Sequence, residues 1–553
     1  MTGRSLLALA AILLGLSLTA CGPQRVERAA CPAGQRCLEY GIASEPTALD
    51  PQLTQSIYEA AIDRELFNGL YTDDAAGNPT LGAADKVTTS PDGLVWTFHL
   101  KPATWSDGVP VTASDFVYAY RRILDPKTAS PYTYLVYLLK NGEAITDGKA
   151  QPNTLGAVAL DPQTLQLTLE HPAPFLPQIL KHQSYFPVPE HAIERWGDKW
   201  TEPAHFASNG PYVVQSWKLG EQVRLAKNPR YPDAAGLCFD RVDFVPTPDP
   251  VTGERRVLRG ELDVNAGIQS NRVSRLRADP TAAPFVRSHP YLTTTYVIFN
   301  TRDVVPLQDR RVRTAIGMAI DRQFIADKLG RAGQVPTTSF VPRGIAGYLP
   351  PDGPHPQPVW AGWSLDRRKA AARELMRRAG YGPDRPLKLE IKMFNSASTV
   401  PFAEAIQADL QDIDVDTTFR LEDGAVIFTS FNIRDFQLGL VGWVADYDDP
   451  MTFLGLMKSD TGAQNYGDYD NPAYDALLNK ADNEPDGAKR AQYLAAAEQM
   501  MLNDANVAPV LVGVNLNLVN PRISGWVNND SDIHPIRDLC LNAAPPAVEK
   551  PQG

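Results

Sequence analysis

The chain has 553 residues, 43% of them hydrophobic and 21% charged, with a formal net charge of -11 at pH 7. It is too long for one core, so two or three domains are expected, and too rich in apolar residues to be a disordered chain. The acidic balance argues against nucleic acid as a partner, because phosphate binding needs a basic footprint, and it is compatible with cationic ligands.

Arg4 is followed by the apolar run from Leu6 to Leu16, a positive start and a core too short to span a membrane comfortably. It runs into Leu18-Thr19-Ala20-Cys21, an arrangement that resembles a bacterial lipoprotein signal, whose cleavage leaves the cysteine first in the mature chain. That resemblance implies lipidation of Cys21 and anchorage on a membrane surface. The alternative is an ordinary secretory signal in which Cys21 is incidental; either way the mature protein is exported. Cys31, Cys37, Cys238 and Cys540 remain. An even number in an exported chain favours disulfides, with three connectivities open. Cys31 with Cys37 is the first choice, leaving Cys238 with Cys540. No Cys-x-x-Cys motif is present, so a zinc or redox site has little support.

Downstream, residues 37–43 read as a first strand and Glu59 to Leu70 as a helix, with Ala61, Ile62, Leu66 and Phe67 near helical spacing. In a β-rich stretch, Trp96, Phe98 and Leu100 share one face of a strand, and Leu165 to Leu169 alternates as another. Between them Thr112 and Asp115 form a capping pair for a helix through Arg122. Val242 to Val245 reads as a strand of a mixed sheet, Gly253 to Arg259 as a helix, and 260–264 as a turn and short strand. From 293 onward strands alternate with helices, which implies an α/β domain. Val297 to Asn300 is a strand, Asp309 and Ser364 cap two helices, Leu387 to Met393 alternates, and Phe402 to Ile413 carries a helical stripe. Ala488 to Asn503 is a last long helix and Val510 to Val519 a last strand. The proline-rich stretch 336–358 reads as an extended surface loop.

The apolar strand 436–443 ends in Gly442-Trp443-Val444-Ala445-Asp446-Tyr447-Asp448-Asp449-Pro450. Three carboxylates and a proline force a turn there. Trp443 and Asp446 at a strand end suit an amine: the ring gives a wall and the carboxylate a charge partner. A solvated acidic turn is the plain alternative. No Gly-x-Ser-x-Gly or His-Glu-x-x-His is present, and the eight histidines lack metal spacing. Nothing selects a catalytic carboxylate pair, so no enzyme activity, metal or cofactor is expected.

Several stretches then fall in a telling order: Leu49-Asp50-Pro51, Arg64-Glu65-Leu66-Phe67-Asn68-Gly69-Leu70, Val95-Trp96-Thr97-Phe98-His99-Leu100, Trp105-Ser106-Asp107-Gly108 and Asp115-Phe116-Val117-Tyr118. Asp125-Pro126 with Thr128-Ala129-Ser130-Pro131-Tyr132, Asn209-Gly210, Arg311-Val312-Arg313-Thr314-Ala315 and Gly442-Trp443 with Ala445-Asp446-Tyr447 complete the set. Together, over residues 37 to 540, they resemble the extracytoplasmic oligopeptide-binding proteins of ABC importers, family 5 of the solute-binding proteins.

The resemblance implies an α/β, two-lobed periplasmic-binding-protein-like fold of type II with an extra β-rich domain. After a signal peptide (1–20) and tether (21–36), lobe I comprises 37–68, 188–292 and 514–540. The extra domain is 69–187, lobe II is 293–513, and 541–553 is a flexible tail. The lobes close over an extended peptide that pairs with protein backbone as an added strand. The matching backbone segments are Ser56-Ile57 and Gly442-Trp443-Val444. Asp446 matches the carboxylate that binds the peptide α-ammonium, Tyr132 and His182 match positions near the ligand, and Trp443 walls a side-chain pocket. Positions where the family places cations for peptide carboxylates fall, by ungapped alignment, on Gly330, Val400, Phe431 and Leu440, so weak selection at the far peptide end is expected. The implied partners are an oligopeptide, the permease subunits of an ABC importer and, through Cys21, a membrane; the chain is expected to be a monomer in the periplasm or cell envelope. Competing readings are the same frame with another solute (a cell-wall peptide, nickel chelate, heme or oligosaccharide), an exported hydrolase, or a chaperone or signalling receptor.

Overall fold

The computed structural model describes residues 30–396 and 399–542, so the leader with Cys21 and the last eleven positions lie outside the described residues. Strand β1 (Cys37–Ile42) is buried at all six positions. It pairs in parallel with a neighbour on each side, which calls for apolar cover on both faces. Helix α1 (Ile57–Leu66) begins two residues before the sequence suggested, because Ser56 and Glu59 form a reciprocal capping box. It stops at Leu66, where Phe67 turns to extended backbone at φ -129° and ψ 150°.

The extra domain holds β2 (Ala84–Thr89), β3 (Val95–Leu100), α2 (Ala113–Leu124), β4 (Ala157–Asp161) and β5 (Thr164–Thr168). Its strands form an antiparallel sheet in the order β2-β3-β5-β4. Phe98 and Leu100 are buried, and Thr112 and Asp115 make the expected capping box on α2. The chain then returns to the first lobe with β6 (Tyr212–Lys218), β7 (Gln222–Lys227), β8 (Arg241–Pro246) and β9 (Val264–Ala266). One apolar cluster runs from Leu38 to Leu539 and joins this lobe to the extra domain. Cys31 is bonded to Cys37, and Cys238 to Cys540 across 302 positions of sequence, with Cα separations of 5.8 and 5.3 Å.

The second lobe contains β10 (Val286–Phe299), α3 (Arg310–Ala319), α4 (Leu365–Arg378), β11 (Leu387–Phe394), α5 (Val400–Gln411) and β12 (Val415–Glu422). It continues with α6 (Gly424–Asn432), β13 (Leu438–Val444), α7 (Pro472–Asp482), α8 (Gly487–Asn503) and β14 (Val507–Val519). Alternate residues of β10 serve opposite faces: Val297 and Phe299 enter one apolar cluster, Tyr296 and Ile298 the other. A covered sheet between two helical layers results.

One sheet path runs through both lobes, β12-β11-β13-β10-β14-β9-β1-β8-β7-β6. Its waist is the antiparallel pair β10 and β14, whose register shifts between Pro290 and Thr294. The expected lobe boundaries at 293 and 514 both fall inside these two strands. Both strands run across the expected boundaries, and their pairing is irregular near Pro290 to Thr294.

One expectation needs correction. Residues 336–358 are not a surface loop throughout: Phe340, Val341 and Ile345 are buried in the second lobe's core. Glu498 of α8 draws the segment in, accepting the backbone N–H groups of Phe340 and Val341 at 2.6 and 2.9 Å and the Tyr348 hydroxyl.

Candidate functional site

A cavity of about 1130 Å³ lies between the lobes and the extra domain, and Ser56, Ile57, Tyr132, His182, Gly442, Trp443, Val444 and Asp446 all line it. Residues up to 390 positions apart in sequence, Ser56 and Asp446, thus share one wall system.

The second lobe contributes the end of β13. Its partner β11 accompanies it only along Leu438 to Leu440. Gly442, Trp443 and Val444 are paired on one side alone, by Thr293 to Thr295 of β10. An open strand edge facing a cavity is a template for one more extended chain. Gly442 and Val444 are exposed, while Trp443 is half-buried and donates its indole N–H to Thr452 Oγ1 at 3.3 Å.

Asp446 follows directly. Its backbone N–H donates to Thr452 Oγ1 at 3.0 Å, which fixes the turn, and its Oδ2 accepts the Tyr134 hydroxyl at 2.6 Å. Among the described residues no lysine, arginine or histidine pairs with this carboxylate. Burial pushes its titration up to about 6, against the Tyr134 hydrogen bond that pulls it down. A cation entering the cavity would restore the favourable environment that burial removes.

The first lobe and the extra domain supply the facing wall. Ser56 is held by its capping box, and Ile57 stands half-exposed at the helix start. Tyr132 donates its hydroxyl to the Gln55 carbonyl at 3.2 Å, and its ring meets the edge of His182 at a centroid distance of 4.7 Å. His182 is pushed down to about 3 by burial and the Arg64 charge, so it is neutral and shapes the wall without carrying charge. Its Nδ1 engages Ser184 Oγ at 2.7 Å.

The four positions expected to stand at cationic depths of the cleft do not line it. Phe431 and Leu440 lie in the two apolar clusters of the second lobe, and Gly330 and Val400 stand elsewhere in that lobe. On α6, Phe428 and Asn432 face the cavity and Phe431 faces the core. Nor is the cavity without cations. Lys458 lines it beside Asp460 at 2.9 Å, and Arg64 and Lys181 line it while sharing Asp73 at 3.3 and 2.7 Å.

Sequence reasoning missed Tyr134. The signal was a second tyrosine two positions after Tyr132, too weak to act on without knowing that the chain there closes on Asp446. Among the described residues no group of three or more His, Cys, Asp or Glu side chains is set to hold a metal, and no helix is long and apolar enough to cross a membrane.

Residues 78–465 match the family model described as bacterial extracellular solute-binding proteins, family 5 Middle. The chain is 34% identical to the periplasmic oligopeptide-binding protein OppA of Salmonella typhimurium, over 96% of each chain. It superposes on the murein tripeptide binding protein MppA of Escherichia coli with a TM-score of 0.84, at 33% identity, covering 92% of this chain and 99% of that one. Against the unliganded open form of the same protein the TM-score is 0.73, with coverage of 92% and 98%. The Haemophilus influenzae OppA complex with the peptide RPPGFSPFR gives 0.82 at 29% identity, covering 92% and 99%.

Proposed function

The chain belongs to the family 5 bacterial extracellular solute-binding proteins, and we propose that it captures oligopeptides in its interlobe cavity and delivers them to an ABC importer. The observation that carries this reading is Asp446: a carboxylate with no cationic partner among the described residues, lining the cavity, two residues past a strand end that is paired on one side alone. An extended peptide satisfies both features at once. Its backbone continues the sheet beyond Gly442-Trp443-Val444, and its α-ammonium reaches Asp446. Backbone pairing is indifferent to side chains, which suits varied sequences. The ammonium contact contributes about 1.5–3 kcal/mol net, because desolvation offsets much of its gross strength. The likeness to a murein tripeptide binding protein supports extending the ligand class to peptides of the cell wall. Cys21 would carry a lipid anchor holding the protein at a membrane near the permease, with the mature chain acting as a monomer.

Titration calorimetry with tetra-alanine and its N-acetylated form tests the site. The free amine is expected to bind at least about tenfold tighter, and Asp446→Asn to remove that difference. Equal binding of the two peptides by the unmodified protein would take Asp446 out of the ammonium role.

A further inference from the structure

A second carboxylate on the cavity wall has no lysine or arginine partner among the described residues. Asp532 lies in the first lobe, after β14, and its side chain is 18% exposed. Its Oδ1 accepts Asn517 Nδ2 at 2.7 Å and meets His534 Nε2 at 3.0 Å. Among the described residues no lysine or arginine reaches it. Three tyrosines, Tyr40, Tyr58 and Tyr291, line the cavity around it. Burial and then the Asp532 charge push all three hydroxyls up. None of these hydroxyls is engaged by another described residue. Tyr291 lies where the pairing of β10 with β14 shifts register, and it lines the cavity.

Glu65 adds an independent sign on the same wall. It is 1% exposed, and its Oε1 accepts the Ile536 N–H at 2.8 Å, while Oε2 has no partner at all. The cations nearby are committed elsewhere: Arg64 and Lys181 both bond Asp73. His534 is stacked on Trp526 at 3.6 Å and already faces Asp532. A pocket walled by aromatic rings, floored by a carboxylate that no lysine or arginine neutralises and edged by an unpartnered acceptor recognises a compact cation.

We infer that Asp532, ringed by Tyr40, Tyr58 and Tyr291, is a second cation subsite that takes an amine-bearing or guanidinium side chain of the bound peptide. The inference rests on the peptide-binding reading above and deepens it. Asp446 takes the main-chain ammonium that every peptide has. Asp532 selects among peptides by one side chain, so it sets preference rather than binding as such.

The test is a calorimetric series: tetra-alanine, and the peptides in which lysine or norleucine replaces alanine at positions 1 to 4 in turn. Norleucine keeps the carbon chain and lacks the charge. At one position lysine is expected to bind at least tenfold tighter than norleucine. In Asp532→Asn that ratio should fall toward one while tetra-alanine affinity stays within twofold. Asparagine keeps an acceptor for Asn517 and tolerates the left-handed backbone of this position, φ +54°, so the variant should fold. Binding of all peptides without a lysine preference overturns this inference alone, as does a preference that persists in Asp532→Asn. If none of the peptides binds, the peptide reading falls and this inference with it.

Discussion

Asp446 binds its proton more tightly folded than unfolded, since burial raises its value from 3.8 to about 6. For such a carboxylate the folded state gains protons, so the contribution to stability is complete below the unfolded value and declines as pH rises through about 6. Asp446→Asn should therefore raise the melting temperature of the ligand-free protein at pH 7.5 while weakening peptide binding, and the gain should vanish near pH 3.5. Differential scanning calorimetry at the two pH values checks this. The bound ammonium needs the ionised carboxylate, so affinity runs the other way. A given peptide should bind about tenfold more weakly at pH 5 than at pH 7.5, because only about a tenth of the carboxyl is ionised at the lower pH. Tyr134→Phe removes the hydrogen bond that holds the value down, and should move the midpoint of this pH profile upward.

At the scale of elements, helix α8 and the segment 336–358 are tied by one side chain. Glu498 is fully buried and accepts two backbone N–H groups and a tyrosine hydroxyl. Glu498→Ala leaves both N–H groups without an acceptor in an apolar setting, at a cost of about 2–4 kcal/mol. Denaturant unfolding measures the loss, and hydrogen exchange should accelerate at Phe340 and Val341 before it does in the β-sheet. Strand β13 shows how one element serves two ends. Its first half is locked: a Cβ at Gly439 would lie 2.6 Å from the Phe431 ring and 2.9 Å from Ile298. At Gly442, in its second half, a Cβ would meet nothing nearer than 3.8 Å, and β11 no longer pairs with the strand there. Packing density thus fades along the strand toward the site.

Across the whole molecule, the extra domain and the second lobe meet through Phe175. Its ring stacks on Tyr447 at 5.7 Å with the planes 14° apart, and the Arg490 guanidinium lies over the same ring, 4.8 Å from its centroid. Arg490 is itself held by Asp449 through two bonds of 2.7 and 2.8 Å, so this contact has a rigid backing. Together with Tyr134 on Asp446 it ties the walls of the cavity across the gap. The lobe arrangement is less like the unliganded open relative, at a TM-score of 0.73, than like the other structure of that protein, at 0.84. Phe175→Ala should therefore lower the population of closed molecules. Peptide affinity is expected to fall about three- to tenfold, since apparent affinity scales with the competent fraction. Small-angle scattering of the ligand-free variant should give a larger radius of gyration than the unaltered protein; equal radii would show that Phe175 does not hold the walls together.

Local rules determined much of this protein. The alternation of Trp96, Phe98 and Leu100, the capping residues Thr112, Asp309 and Ser364, and the stripe on α5 depend on neighbours within a few positions, so they are readable in one dimension. The same holds for the proposed amine site at the end of β13, where Trp443 and Asp446 are three positions apart. Tertiary structure alone decided which side chains complete the site. Tyr134 reaches Asp446 across 312 positions, and Asp532 faces tyrosines from β1, α1 and β10. It also decided that Phe431 and Leu440 turn inward, since a helix or strand presents only some of its residues to a cavity and the neighbours choose which. Backbone propensity acts over one turn or one pleat, whereas convergence of distant side chains is set by how lobes fold back on each other, and no short-range pattern records that.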